Sequence, residues 1–275
     1  MIELAPNNPY GLALHSPVLL AAGYCGYGAE YARALDMAQF GAIITRTTTL
    51  EPRRAAQRPR LIETHAGLLA VGPWPNPGLR YVLERHAPTW ATWDTPVILS
   101  VASNRANEYA RIVAHLEGVE GIAGVELSVS GELAVAATQA ARAATQLPLL
   151  IKLPPLDGTP LAELATAVAG AGADALTIAA PPTGMSVDSA SGEQLTGWLC
   201  GPAVLPLALQ RLVAVAEVVN VPVIACGGIA NVEHARQCMA LGAVAVLVGS
   251  ALLADPFGVA RMASELAQQA TTRRA

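Results

Sequence analysis

Eight short apolar runs, most of them separated by alanine-rich stretches, constrain this chain more than any other feature. The runs are Val18–Gly23, Ala42–Thr47, Pro96–Ala102, Gly124–Ser130, Pro148–Leu153, Ala175–Ala180, Pro222–Gly227 and Ala245–Ser250. Each is continuous rather than alternating, the pattern of parallel strands covered on both faces. Helical stretches are expected at Ala29–Gln39, Asn104–Leu116, Glu132–Thr145, Pro160–Ala169, Ala203–Val218, Asn231–Ala240 and Pro256–Gln269. Eight strands with helices between them predict a (β/α)8 barrel of the TIM type, one domain over residues 1–275. The 53% of hydrophobic residues is ample for a core of that size. A doubly wound open sheet is the alternative; it fits less well because the glycine turns follow strands 7 and 8 rather than strand 1.

Three segments stand outside the alternation. Ile2–His15 is expected to form a hairpin across the barrel bottom, turning at Asn7-Asn8-Pro9. Thr48–Pro77 after strand 2 and Pro181–Cys200 after strand 6 read as long functional loops. Both follow strand C-terminal ends, the face on which barrel active sites sit.

Charge and cysteine content narrow the function. A net charge of −4 leaves no basic patch for nucleic acid. The longest apolar stretch, about Ala243–Ala254, is too short for a membrane span of about 20 residues. The opening Met1-Ile2-Glu3 carries no signal-peptide core. Cys25, Cys200, Cys226 and Cys238 have no paired spacing, so no metal site is expected and reduced thiols in the cytoplasm are.

Two glycine turns carry the clearest chemistry. Ala225-Cys226-Gly227-Gly228-Ile229 follows strand 7 and Val248-Gly249-Ser250-Ala251 follows strand 8. Glycines let backbone amides approach an anion, and these two positions form the common phosphate cradle of the fold. A phosphorylated cofactor or substrate is therefore expected. The chain also has 16 arginines and a single lysine, Lys152, at the end of strand 5 among Leu149, Leu150, Ile151 and Leu153. It is expected to point into the barrel mouth. Schiff-base chemistry and charge stabilisation of a ligand both stay open for it.

The order of several motifs resembles the dihydroorotate dehydrogenase family, most closely its soluble class 1 members. The first-strand loop Ala21-Ala22-Gly23-Tyr24-Cys25-Gly26-Tyr27-Gly28 and the second-strand segment Thr45-Arg46-Thr47-Thr48-Thr49-Leu50-Glu51-Pro52-Arg53 are similar to it. Arg58-Pro59-Arg60, Glu63-Thr64 and Asn76-Pro77-Gly78 follow in the family's order, then Gly184-Met185, Asp188 and Leu199-Cys200-Gly201-Pro202-Ala203, then the two glycine turns. The resemblance implies an FMN-containing barrel that moves a hydride between flavin N5 and a CH–CH or C=C substrate. It implies cofactor contacts from Ala21, Ala22, Gly23, Arg46, Thr47, Ser128, Lys152, Ile178, Gly201, Cys226, Gly227, Gly228, Gly249 and Ser250. Lys152 falls on the lysine that in the family lies by the flavin N1/O2 edge. A homodimer, and an added electron-transfer subunit, are also implied.

The substrate half departs from the family. Its strand-2 lysine is Arg46 here, its substrate asparagine matches Ala70, and its Asn-Thr pair after strand 6 matches Ala180 and Pro181. The family's Asn-x-Ser-Cys-Pro-Asn becomes Ser128-Val129-Ser130-Gly131-Glu132-Leu133, so the catalytic base falls on Gly131, which cannot take a proton. Lys152, Arg46 and Ser130 are the expected catalytic groups. Tyr24, Cys25, His65 and Glu132 are further proton-donor or base candidates, each with a plain packing or surface reading beside it. Trp74 and Trp198 are expected to wall the mouth, meet a partner, or simply pack. Efficient dihydroorotate oxidation is not expected. A dihydroorotate dehydrogenase with a divergent site, a non-catalytic flavin-bearing subunit and a flavin-free lyase remain as alternatives.

Overall fold

The computed structural model describes residues 1–55, 61–72, 75–155, 158–178, 181–187 and 192–272. Arg58-Pro59-Arg60, Trp74, Ala180 and Asp188 lie outside the described residues.

The eight runs form a closed parallel barrel. Its strands are β1 (Val18–Leu20), β2 (Ala42–Ile44), β3 (Val97–Val101), β4 (Gly124–Ser128), β5 (Leu149–Lys152), β6 (Ala175–Ile178), β7 (Val223–Cys226) and β8 (Ala245–Val248). Each pairs in parallel with its sequence neighbour, and β8 closes on β1 through Val246–Val18, Leu247–Leu19 and Val248–Leu20. The observed strands are shorter than the apolar runs because the ends of the runs turn into the mouth loops. Alternation explains why the runs are apolar throughout. Leu19, Ile44, Ile98, Leu150, Ile224 and Leu247 pack inside the barrel. Leu20, Ile43, Leu99, Val125, Ile151 and Val246 pack outward with the helices.

The helices that cover the barrel are α1 (Leu79–Trp90), α2 (Ala106–Ala114), α3 (Ala134–Arg142), α4 (Gly158–Gly170), α5 (Leu205–Ala216), α6 (Val232–Ala240), α7 (Ala251–Ala254) and α8 (Pro256–Thr272). Three points differ from expectation, one of them the short α7 ahead of α8. Ala29–Gln39 is a series of turns ending in a 3-10 turn at Met37–Gln39, where the Asp36 side chain accepts from the Ala38 amide. That side-chain bond competes with helix continuation. Conversely, α1 forms despite Pro88, and it buries Leu79, Val82, Ala87 and Trp90.

The bottom of the barrel is plugged as expected. Ile2–Glu3 pairs antiparallel with Ala13–Leu14, and Leu4, Leu12 and Leu14 join the interior cluster. The Glu3 carboxylate accepts from the amides of Ala5 (2.8 Å) and Leu12 (2.5 Å), which holds the hairpin closed. Leu14 is fully buried. Leu14→Ala is expected to cost about 2–5 kcal/mol, through lost transfer energy plus a residual cavity. A urea titration would show this as a lower midpoint with an unchanged slope.

The two insertions are not loops over their whole length. Leu61–Thr64 and Gly67–Ala70 form one hairpin, Thr183–Val187 and Gln194–Cys200 another, and they join in a four-stranded antiparallel sheet. The join runs through Trp198–Ala70, Leu199–Leu69 and Cys200–Leu68. At Gly67 a Cβ would lie 2.0 Å from the Cys200 carbonyl oxygen, so the close pass of the two hairpins requires glycine there.

Candidate active site

The C-terminal end of the barrel carries a narrow cavity of about 50 Å³. Ala21, Ala22, Lys152, Gly201, Cys226, Gly227, Gly228, Gly249 and Ser250 wall it, so nine of the expected cofactor positions converge. Tyr24, Pro181, Cys200, Val204, Ile229 and Leu247 complete the wall. Past Gly201, Gly228, Ile229 and Ser250 the cavity opens into a trough of about 780 Å³, bounded by the insertion sheet and by α7 and α8.

The glycine turns have two reasons to be glycine. Gly228 has φ +73°, and a Cβ would lie 2.4 Å from the Leu205 amide nitrogen. At Gly249 a Cβ would meet the Tyr24 ring at 2.9 Å. Packing alone therefore demands both. The same tight turns leave the amides of Gly228 and Ser250 without a hydrogen bond among the described residues. Unengaged amides grouped around one hollow fit an anionic group such as a phosphate. The His234 ring braces the first turn, lying 3.3 Å from both the Gly228 carbonyl oxygen and the Ala230 amide.

Lys152 follows inward-facing Leu150, with outward-facing Ile151 between them, so its side chain enters the cavity from the inner wall. Burial by itself would lower its pKa. The Glu126 carboxylate first, then the Cys226 and Cys200 thiols, outweigh burial and raise it. The ammonium therefore stays charged through neutral pH, which speaks against a Schiff-base role, since that chemistry needs the free amine. Tyr24 donates to Cys200 Sγ at 2.8 Å, and burial is the main reason its own pKa is raised. Burial pushes the Cys25 thiol up to about 12, and its Sγ–H donates to the Ile44 carbonyl oxygen at 3.1 Å. Cys25 thus packs as a neutral group.

The remaining expected contacts lie apart from this cavity. The Arg46 guanidinium lies over the Tyr27 ring, 5.9 Å from its centroid, and its Nε is buried without a partner among the described residues. Thr47 Oγ1 is 3.0 Å from Ser100 Oγ, which in turn donates to Glu126 at 3.0 Å. Ser128 sits on the inner face beside Lys152, as its register partner. Gly23 has φ +91° and open space at its Cβ position. The Ile178 side chain packs outward with the helix layer, so only its backbone faces the strand end. Ser130 is exposed, and its side chain makes no cap bond to the 3-10 turn at Gly131–Leu133; Glu132 is exposed in that turn. His65 is exposed at the tip of the first insertion hairpin. Trp198 packs against Gly72, and Ala70 is buried in the insertion sheet, paired with Trp198. Asn76 clasps the second-strand loop, its Oδ1 accepting from the amides of Thr49 and Gly78. Among the described residues, no group of three or more His, Cys, Asp and Glu is placed to hold a metal ion, and no helix is long and apolar enough to cross a membrane.

Comparison with known proteins decides the family. The family described as Dihydroorotate dehydrogenase matches residues 5–269. The chain belongs to the dihydroorotate dehydrogenase family. It is 38% identical to the Desulforudis audaxviator protein named dihydroorotate dehydrogenase B (NAD(+)), catalytic subunit, over 95% of this chain and 91% of that one. A Desulforamulus reducens protein of the same name is 38% identical over 90% and 86%. A Geobacillus protein of that name is 34% identical over 97% and 90%. The crystal structure of DHODH from Eimeria tenella in complex with ferulenol superposes with a TM-score of 0.79 at 18% identity, covering 100% of this chain and 85% of that one, a likeness of fold. Family membership makes this dihydroorotate dehydrogenase-like chain a flavin-dependent oxidoreductase acting on CH–CH groups.

A stacked trio flanks Arg46. The His86 ring lies between Tyr27, at 4.5 Å and 21°, and Trp90, at 5.8 Å and 18°. Burial lowers the His86 pKa; Glu30 opposes this and Arg85 adds to it. A histidine that resists protonation only when folded gives full stability above its unfolded pKa of about 6.5 and loses it as pH falls below that value. Melting temperature is therefore expected to fall below that pH, and to fall less in His86→Gln. Parallel slopes for the two proteins would contradict this.

Proposed function

We propose that this barrel binds FMN and uses it to exchange a hydride with a substrate bearing a CH–CH or C=C bond, and that dihydroorotate is a poor substrate. One observation carries the reading: the single lysine and both glycine turns wall the same cavity. When bound, FMN supplies the hydride acceptor and the electron store that the side chains lack. Gly228 and Ser250 offer amides to its phosphate. Lys152 would set a positive charge beside the cofactor, where it would stabilise negative charge on the reduced form. Arg46, braced on Tyr27, stands at the second-strand position where a carboxylate or a carbonyl oxygen would be held. Gly131 supplies no base, and Ala70 supplies no amide to a pyrimidine.

A second reading is favoured by a specific observation. Identity of 38% over 95% of the chain supports a true dihydroorotate dehydrogenase whose base comes from elsewhere in the mouth. The relatives' names, as catalytic subunits, support an electron-accepting partner chain here too. Four free cysteines support a cytoplasmic location, and class 1 relatives support a homodimer.

The test is to release the cofactor from purified protein, identify it by mass, and then assay dihydroorotate turnover. FMN with turnover at least about 100-fold below that of a relative retaining its base is expected. FMN with turnover equal to that relative's would favour the second reading. Absence of any flavin would reject both.

A further inference from the structure

Glu126 is the only fully buried carboxylate among the described residues. It sits on the inner face of β4, between outward-facing Val125 and Leu127. Its Oε1 accepts from Ser100 Oγ at 3.0 Å, whereas its Oε2 is shut from solvent with no hydrogen-bond partner among the described residues. Thr177 Oγ1, on the inner face of β6, is in the same condition. Lys152 lies between them. Its strand pairs with both β4 and β6, its register partners are Ser128 and Thr177, and Glu126 is one diagonal step below it on the same face.

A buried carboxylate with one hydrogen bond costs several kcal/mol unless a cation answers it. The chain's single lysine is the cation on the adjoining strand. We propose that Glu126 is the positioning residue for Lys152, its carboxylate holding the ammonium charged and on the inner wall so that the cofactor cavity keeps a full positive charge. The use of that charge rests on the FMN reading above; the pairing itself does not.

The groups facing Lys152 are Glu126 from β4, Cys226 from β7 and Cys200 from the insertion sheet, with Tyr24 bonded to Cys200. Burial raises the pKa of both thiols, and Glu126 is the one carboxylate among the groups facing the lysine. Removing that charge while keeping the shape should let burial govern the lysine.

The single lysine makes this directly measurable. Full-length protein grown on ε-13C-lysine gives one lysine side-chain signal, whose pH titration reads Lys152 with or without bound flavin. The wild-type signal is expected to hold its ammonium position past the ordinary lysine midpoint of about 10.4. Glu126→Gln keeps an acceptor for Ser100 and is expected to lower the midpoint by about 1–3 pH units. Glu126→Asp, which keeps the charge, is expected to lower it less. A folded Glu126→Gln protein that titrates with the wild type would overturn the proposal. So would a wild-type midpoint below about 10.4, which needs no variant. Because the signal does not depend on flavin, failure here is separable from failure of the FMN reading, which the released-cofactor analysis decides.

Discussion

Lys152→Gln is expected to lower the midpoint potential of the bound flavin by about 60–90 mV. The figure follows from the about 2.7–4 kcal/mol that one preorganised charge-stabilising group contributes in a closed site, at about 30 mV per 1.4 kcal/mol for a two-electron couple. Lys152 leaves β5 directly into the cavity wall, so its charge belongs to the site before any substrate arrives. Glutamine fills the same space and can still donate a hydrogen bond, so packing changes little while the charge disappears. Arginine would keep the charge, but its planar, bulkier head would not fit a cavity of about 50 Å³ without displacing its walls. Lys152→Arg is therefore expected to weaken cofactor binding. An unchanged potential in Lys152→Gln would place the lysine outside the cofactor's reach.

Gly228→Ala is expected to destabilise the fold by about 1–3 kcal/mol and to yield protein depleted of flavin. Two independent penalties coincide. The backbone at φ +73° is one that residues with a side chain rarely adopt, and the new Cβ would lie 2.4 Å from the Leu205 amide nitrogen. That atom belongs to the start of α5, so relief requires the turn rather than a side chain to move. Moving the turn shifts the free Gly228 amide away from Ser250 and splits the cradle. Thermal melts and flavin-to-protein absorbance ratios read the two effects separately. Full flavin content in a destabilised protein would show that the cradle does not depend on this turn.

Much of the barrel was legible because each strand is buried on both faces and therefore reads as an unbroken apolar run. The first crossover reads as a helix in the sequence and is a series of turns in the structure. Its alanines and leucine suit a helix, but Gly26 and Gly28 at positive φ and the Asp36 side-chain bond favour turns. α1 carries a helical spacing in Leu79, Val82, His86 and Trp90, but Pro88 and the charged residues between them hide it in the sequence. The insertion sheet had no local signature, because its central pairing joins two segments far apart in the chain. At the site, Lys152 and the glycine turns stand out in the sequence, and the fold brings them to one cavity. The Ile178 side chain turns outward because strand alternation sends it there once Lys152 and Thr177 face inward, which leaves its backbone at the strand end. Glu126 was missed although a lone acid within Gly124-Val125-Glu126-Leu127 is itself a signal, since a carboxylate enters a buried strand only where something answers its charge.

If the chain keeps the cofactor half of the site and has lost the half that would grip dihydroorotate, it holds flavin that dihydroorotate does not readily reduce. Anaerobic addition of dihydroorotate to the purified protein, followed by visible absorbance, tests it most directly. Flavin bands at the outset and little bleaching on the timescale of a relative that retains its base are expected. Rapid and complete bleaching, or protein that carries no flavin at all, would contradict it.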